Sequence, residues 1–404
     1  MEAHSPPEHR DGATNQGAAP LVSDRRGGPF ARALEMKFRK GITLNSFPEL
    51  GGDQVTACWE GWIDDQFLTG IAPFGGYVLG IALHAARLEV RRRGIERRFP
   101  EPVSLSANLL EAGRSDAFLA VVTPVRIGGR FAVFDVAIRQ APLPKASAAG
   151  STTWITLLTA KITMSDIASE RGTTTILSDD GKTPVDHPFL PSALHSPPGA
   201  TRFGLGLPRL ADALPLEPKT MWKGHYKSPR TGKFFHQFFD VRHQKYEEED
   251  IVDLPMGAEW CKWVRWNSGD VQDIPSMAFW GDMSMSPIII NHIFGPKSQG
   301  RERQWSPTMD FALQIRRLPS PDMEWVLVRS KAPYLTNGRK CLDIEMWDEQ
   351  GNLLAITRQM QGTVVVSAQR QARTVEANAA GLQSLKTKRS NGDTGSGSSV
   401  PAKI

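Results

Sequence analysis

Cysteine is scarce in this 404-residue chain. The three present, Cys58, Cys261 and Cys341, lie far apart and without a C-x-x-C spacing. That excludes a disulfide framework or a zinc ribbon as the organising principle, and reduced structural thiols are expected instead. Long apolar runs are also missing: nothing approaches the roughly 18 residues that a membrane-spanning helix needs. The first twenty residues, MEAHSPPEHRDGATNQGAAP, lack the apolar segment of a secretory signal. We therefore expect no membrane span and a place inside the cell. There is no G-x-S-x-G elbow, P-loop, full G-x-G-x-x-G or H-E-x-x-H, so serine hydrolase, nucleotide-binding and zinc-protease readings lose their usual anchors. Neither a cofactor nor a metal is expected.

What is present is ordinary globular material, 40% hydrophobic and 23% charged, long enough for two or three domains. The net charge of +5 is spread along the chain except in Arg91-Arg92-Arg93 and Arg97-Arg98. Such a cluster fits a phosphorylated small molecule at least as well as nucleic acid, and we expect no nucleic-acid partner. The plainer alternative is the solvated end of a helix. Residues 1–35 and 369–404 have the composition of disordered tails, and 169–215 reads as a linker because its prolines and glycines break every period. Two folded segments remain, 36–168 and 216–368.

Each segment opens with strand-like alternation, turns to a helical period, and closes with several strands. In the first, GDQVTACWEGWI is followed by PFGGYVLGIALHAARLEV, where Phe74, Tyr77, Val78, Ile81, Ala85 and Leu88 share one helical face. Gly75, Gly76 and Gly80 weaken that helix, so their expected use is close approach of its backbone to a sheet or ligand. His84 lies off the apolar stripe and reads as solvated. In the second, HQFFDVRHQ and GAEWCKWVRW precede a helix in PSMAFWGDMSMS, and Trp260, Trp263 and Trp266 read as sheet and core packing. GRFAVFDVAIRQ and GRKCLDIEMWD both begin Gly-Arg and run on as strands. One helix followed by antiparallel strands, used twice, predicts an α+β architecture of two similar halves.

APFGGYVLGIALHAA resembles the first-domain helix motif of the type II acyl-CoA thioesterases. GRKCLDIEMWDEQGNLLAITRQMQG resembles that family's closing hairpin. The resemblance spans residues 36–368 and implies a tandem double hotdog, each domain a long helix against a curved antiparallel sheet. It implies an acyl-CoA or acyl-carrier thioester as partner and hydrolysis as the activity, and it leaves a homo-oligomer open. The family's functional aspartate, hydroxyl residue and glutamine fall on Asp282, Thr308 and Gln359. Met360 and Ile81 depart from the family's usual residues at those places.

Thioester hydrolysis needs a delivered water, a group to take its proton, and donors where charge develops on oxygen; no covalent nucleophile is required. Asp282 suits the base, with Thr308 and Gln359 as orienting groups. Taken singly, Asp282 reads as a surface or capping carboxylate, and Thr308 and Gln359 as ordinary strand residues. Backbone N–H groups near Gly75-Gly76 are candidates for the thioester oxygen. Gly75, Gly76 and Tyr77, with Arg91, Arg92 and Arg93, make up the expected substrate-binding set. Fold alone would equally serve a dehydratase, isomerase or cyclase, or a non-catalytic acyl-binding protein. The final Ala402-Lys403-Ile404 approximates a peroxisomal Ser-Lys-Leu signal, so the expected location is peroxisome or cytoplasm.

Overall fold

The computed structural model describes residues 27–39, 56–69, 72–141, 154–170, 209–216, 235–243, 259–283, 304–362 and 364–365. The C-terminal tail with its final tripeptide, residues 1–26 and most of the expected linker lie outside the described residues.

The first half contains β1 (Met36–Phe38), β2 (Ala57–Trp62), β3 (Leu68–Thr69), β4 (Ala72–Pro73), β5 (Glu101–Leu109), β6 (Ala117–Ile127), β7 (Ala132–Gln140) and β8 (Ile155–Ser165). The second contains β9 (Leu214–Leu216), β10 (Phe239–His243), β11 (Glu259–Trp266), β12 (Gln304–Trp305), β13 (Thr308–Ile315), β14 (Val326–Thr336), β15 (Arg339–Trp347), β16 (Leu353–Gly362) and β17 (Val364–Val365). Three helices accompany them among the described residues: α1 (Pro29–Ala33), α2 (Gly75–Arg92) and α3 (Ile274–Asp282).

Thirteen strands form one antiparallel sheet in the order β1-β2-β6-β7-β8-β5-β13-β16-β15-β14-β11-β10-β9. Its seam is β5 against β13, with Leu105 opposite Leu313 and Ala107 opposite Phe311. Read outward from that seam, both halves repeat one strand order, and each inserts its helix before the seam strand. β3–β4 and β12–β17 are separate two-stranded ribbons.

α2 and α3 lie on one face of the sheet and pack antiparallel. A Cβ at Gly76 would stand 2.8 Å from the Phe279 Cα, and one at Gly80 would meet Pro275. The expected close approach of the α2 backbone is therefore to the second helix. α2 differs from an amphipathic surface helix, because both its sheet side and its α3 side are covered: Tyr77, Leu79, Ile81, Ala82, Leu83 and Ala85 are all fully buried. His84 is half-buried rather than solvated. Burial, with Arg87 and Arg91 nearby, pushes its pKa down to about 3, so the imidazole stays neutral. Where a long helix is expected in each half, α2 runs for 18 residues and α3 for nine.

Two stretches read as irregular from sequence carry ordered structure. Gly27-Gly28-Pro29 resembles a loop, yet Pro29 at the start of a helix costs no hydrogen bond, and α1 follows. Its Phe30 stacks on Trp266 with ring centroids 4.8 Å apart and meets Phe279 edge-on at 5.1 Å. Asp270 holds the helix by accepting from the Phe30 and Ala31 N–H groups. At the other stretch, β9 begins in the last two residues of the expected linker and pairs with β10, and just before it Leu210 and Ala213 pack on an apolar cluster of Trp263, Trp325 and Trp347. Trp260 and Trp266 enter the main core on the opposite face of β11, so all three tryptophans of that strand serve packing.

Candidate active site

Asp282 is the last residue of α3, a poor place for a carboxylate with respect to that helix's own dipole. The antiparallel packing compensates by bringing it to the N-terminus of α2. The residue before α2, Phe74, has no side chain able to cap. Gly76 N–H instead donates to Asp282 Oδ2 at 2.7 Å, across 206 residues of chain. The Cβ that any other residue would place at position 75 would come within 2.6 Å of the same oxygen. The two glycines thus make room for a carboxylate at the positive end of a helix, where anions are favoured.

The second carboxylate oxygen, Oδ1, accepts from the Thr308 hydroxyl at 2.7 Å. Thr308 reaches it because β13 has an irregular register between Thr308 and Asp310, the kind of bulge that re-aims a side chain. Strand alternation from buried Phe311 and Leu313 would otherwise turn Thr308 to the outer face. Gln359 Oε1 lies 3.2 Å from the Thr308 oxygen, but the hydroxyl has one proton and the shorter bond to Asp282 takes it. Gln361 resolves the arrangement: its Nε2 donates to Thr308 Oγ1 at 3.3 Å and to Gln359 Oε1 at 3.2 Å. Gln359 Nε2 in turn donates to the Gly281 carbonyl at 3.2 Å, tying the strand to α3.

Burial pushes the Asp282 carboxyl up to about 6, against the pull of the bonds from Thr308 and Gly76, which favour the charged form. The group is 8% exposed, and Gln359 and Gln361 are 1% and 5% exposed, so this is a sheltered carboxylate that changes charge near neutral pH.

Sequence reading brought Asp282, Thr308 and Gln359 forward, and the structure places all three side by side. Of the expected binding set, Gly75 and Gly76 are here, but the Gly76 N–H is spent on Asp282. Tyr77 points away: its hydroxyl donates to the Ala33 carbonyl at 2.8 Å and accepts from Asp64 N–H, fastening α1 to α2. Arg91, Arg92 and Arg93 stand at the far end of α2, about 25 Å away at 1.5 Å per residue. Arg92 and Arg93 both close on the buried Glu89 at 2.6 Å.

Three polar residues were missed. Gln361 shares a face with Gln359 and lies directly opposite Thr308 on one side and Lys340 on the other. Lys340 is buried, donates to Ser306 Oγ at 3.0 Å, and is held at a pKa of about 7 by desolvation. Lys262, equally buried and also pushed down to about 7 by desolvation, donates to the Met283 carbonyl at 2.7 Å and so closes the C-terminal end of α3 beside Asp282.

Residues 63–154 match the model of the acyl-CoA thioesterase N-terminal domain, and residues 211–361 match that of the acyl-CoA thioesterase C-terminal domain, together more than half of the chain. The chain belongs to the type II acyl-CoA thioesterase-like family. Solved structures similar to this thioesterase-family chain include a conserved protein of unknown function with a hot dog fold from Alicyclobacillus acidocaldarius. It is 16% identical with a TM-score of 0.54, the match covering 84% of this chain and 98% of the other. A putative thioesterase II from Thermobifida fusca is 17% identical at a TM-score of 0.54, covering 83% and 98%. A putative thioesterase from Novosphingobium aromaticivorans is 18% identical at 0.50, covering 76% and 95%. At these identities the likeness establishes the hotdog fold alone. No curated protein matches the chain.

Proposed function

We propose that this thioesterase-family protein hydrolyses an acyl-CoA or carrier-bound acyl thioester, with Asp282 as the general base. The observation that carries the reading is the sheltered carboxylate between the two helices, each oxygen held by one donor and its pKa near 6. A base so tuned is largely ionised at neutral pH and still able to hold a proton in the transition state. Water adds its oxygen to the carbonyl carbon and passes a proton to Asp282. The C–S bond then breaks, the proton ends on the departing sulfur, and free acid and thiol are the products. Thr308 and Gln359 keep the carboxylate and the water aligned, and Gln361 fixes which way the Thr308 proton points. No acyl-enzyme forms. Each half, 36–168 and 216–368, is read as one hotdog domain of a tandem pair, with the Asp282 base at their junction.

The deciding experiment is product analysis of a panel of acyl-CoAs in 18O water. Wild type should release thiol and acid, with one solvent oxygen in the acid. Asp282→Asn keeps an acceptor for Gly76 but removes the base, so kcat should fall by roughly 10²–10⁴ with little change in binding. Hydrolysis by the Asn variant at the wild-type rate would remove Asp282 from this role. Conversion of substrate without thiol release would replace hydrolysis by dehydratase, isomerase or cyclase chemistry.

A further inference from the structure

The far end of α2 carries a surface that the reaction does not use. The hairpin joining β6 to β7 exposes Val125, Ile127 and Phe131 at 43, 42 and 45%, with Arg126 and Arg130 exposed beside them. Among the described residues β2 pairs with β6 as far as Val122. The tip is nonetheless pinned. Gly128 N–H donates to the Phe131 carbonyl at 2.9 Å, and Arg98 Nη2 donates to the Gly128 carbonyl at 2.8 Å, fastening it to the loop after α2. Nearby, the Arg92 guanidinium lies 5.1 Å over the ring of Phe38, itself 38% exposed on the edge strand β1. Of the seven arginines at 91–98 and 125–131, Arg92 and Arg93 are paired with Glu89, while Arg97, Arg126 and Arg130 are exposed.

We propose that this tip, with the exposed Arg97, Arg126 and Arg130 as its cations, forms a docking surface for an anionic phospholipid bilayer. Apolar side chains on an exposed hairpin, flanked by guanidinium groups, suit a headgroup layer. The apolar groups enter the acyl boundary, while the arginines, whose stems tolerate apolar surroundings, reach the lipid phosphates. The positive charge supplies long-range attraction to anionic headgroups. A nucleic acid would use the same arginines but give Val125, Ile127 and Phe131 no apolar environment. The docking surface lies about 25 Å from Asp282 along α2, so it does not rest on the hydrolytic reading.

The test is co-sedimentation of the full-length protein with phosphatidylcholine vesicles prepared with and without phosphatidylserine, at low and at raised salt. Wild type should pellet with the phosphatidylserine vesicles and stay in solution with phosphatidylcholine alone. Arg126→Gln with Arg130→Gln, and separately Ile127→Ser with Phe131→Ser, should each weaken binding by roughly tenfold or more. Both pairs are on the surface, so the thermal midpoint and the turnover of a soluble short-chain acyl-CoA should remain as in wild type. Failure of wild type to pellet with anionic vesicles overturns the proposal. Pelleting unaffected by both pairs, or affected by the arginine pair alone while DNA competes equally well, overturns it too. Loss of vesicle binding in a protein that never hydrolyses a thioester would still support it.

Discussion

The two halves share a strand order and differ in what that order presents to the helices. In the first half, β8 turns Leu158, Ala160, Ile162 and Met164 inward, and β7 turns in Ala132, Phe134, Val136 and Ile138, an unbroken apolar floor. At the corresponding places in the second half, β16 turns in Thr357, Gln359 and Gln361, and Lys340 on β15 begins an otherwise apolar series of Leu342, Ile344 and Met346. The first half contributes the start of a long helix, and the second contributes the polar side chains beneath it. A repeated unit can thus keep its packing on one side while the other gives up apolar burial for chemistry, provided every buried polar group finds a partner. Gln361 meets that condition around Thr308 and Gln359, whereas the buried Thr357 hydroxyl is left without a hydrogen-bond partner among the described residues.

Three changes probe the contrast. The largest effect concerns the stability that the polar half gives up. Asp282 has its folded pKa raised to about 6 from an ordinary 3.8, so its charged form is the one the fold disfavours. The stability it permits is fully present below about pH 4 and is lost as pH rises through 6. Asp282→Asn should therefore be more stable than wild type above pH 6, by up to about 3 kcal/mol, and gain nothing below pH 4. Urea denaturation of both proteins across that range would show it, and a constant difference at every pH would count against a buried carboxylate. Next, Gln359→Ile with Gln361→Met copies the apolar pattern of β8 into β16. The sheet should survive, but Thr308 loses its orienting donor, and kcat should fall by about a hundredfold. Full activity in a folded double variant would show that the glutamines are packing only. The smallest effect is expected from Gly75→Ala, whose methyl group presses on the Asp282 carboxylate from the first half. A loss of about tenfold in kcat with a melting temperature close to wild type would fit displacement of one charged group, and a normal rate would mean that the carboxylate has room to yield.

Much of this was legible in the sequence, and the omissions have physical reasons. Alternation in GRFAVFDVAIRQ and GRKCLDIEMWD gave strands, and the helical period after Gly75-Gly76 gave α2, because both signals come from which side chains must avoid water. The same alternation would have placed Gln361 on the face of Gln359, two residues on. It would also have placed Lys340 among Leu342, Ile344 and Met346, where a lysine is conspicuous. His84 escaped because periodicity along one helix does not report how far neighbouring elements cover its other side, and the residue is half-buried. α1 escaped because Gly27-Gly28-Pro29 looks like a loop, and several partners that order Phe30, namely Trp266, Asp270 and Phe279, are more than two hundred residues away. The arginines at 91–93 invited a ligand, but their neighbour Glu89, three and four residues earlier on the same helix, already receives two of them.

The seam of the sheet also sets a timetable. Asn108 on β5 reaches Asp310 on β13, 202 positions further along the chain, so at about 5–20 residues per second of synthesis the first half waits roughly ten to forty seconds for its partner strand. During that interval β5 is an open edge, a row of unpaired N–H and C=O groups able to template pairing with another nascent chain. The first half must fold around its own apolar floor while that edge is bare, and mispairing at β5 would leave Asp282 with no Gly76 to meet. Expression at lower temperature, or with a chaperone that shields strand edges, should therefore raise the yield of active protein by more than it raises the yield of protein.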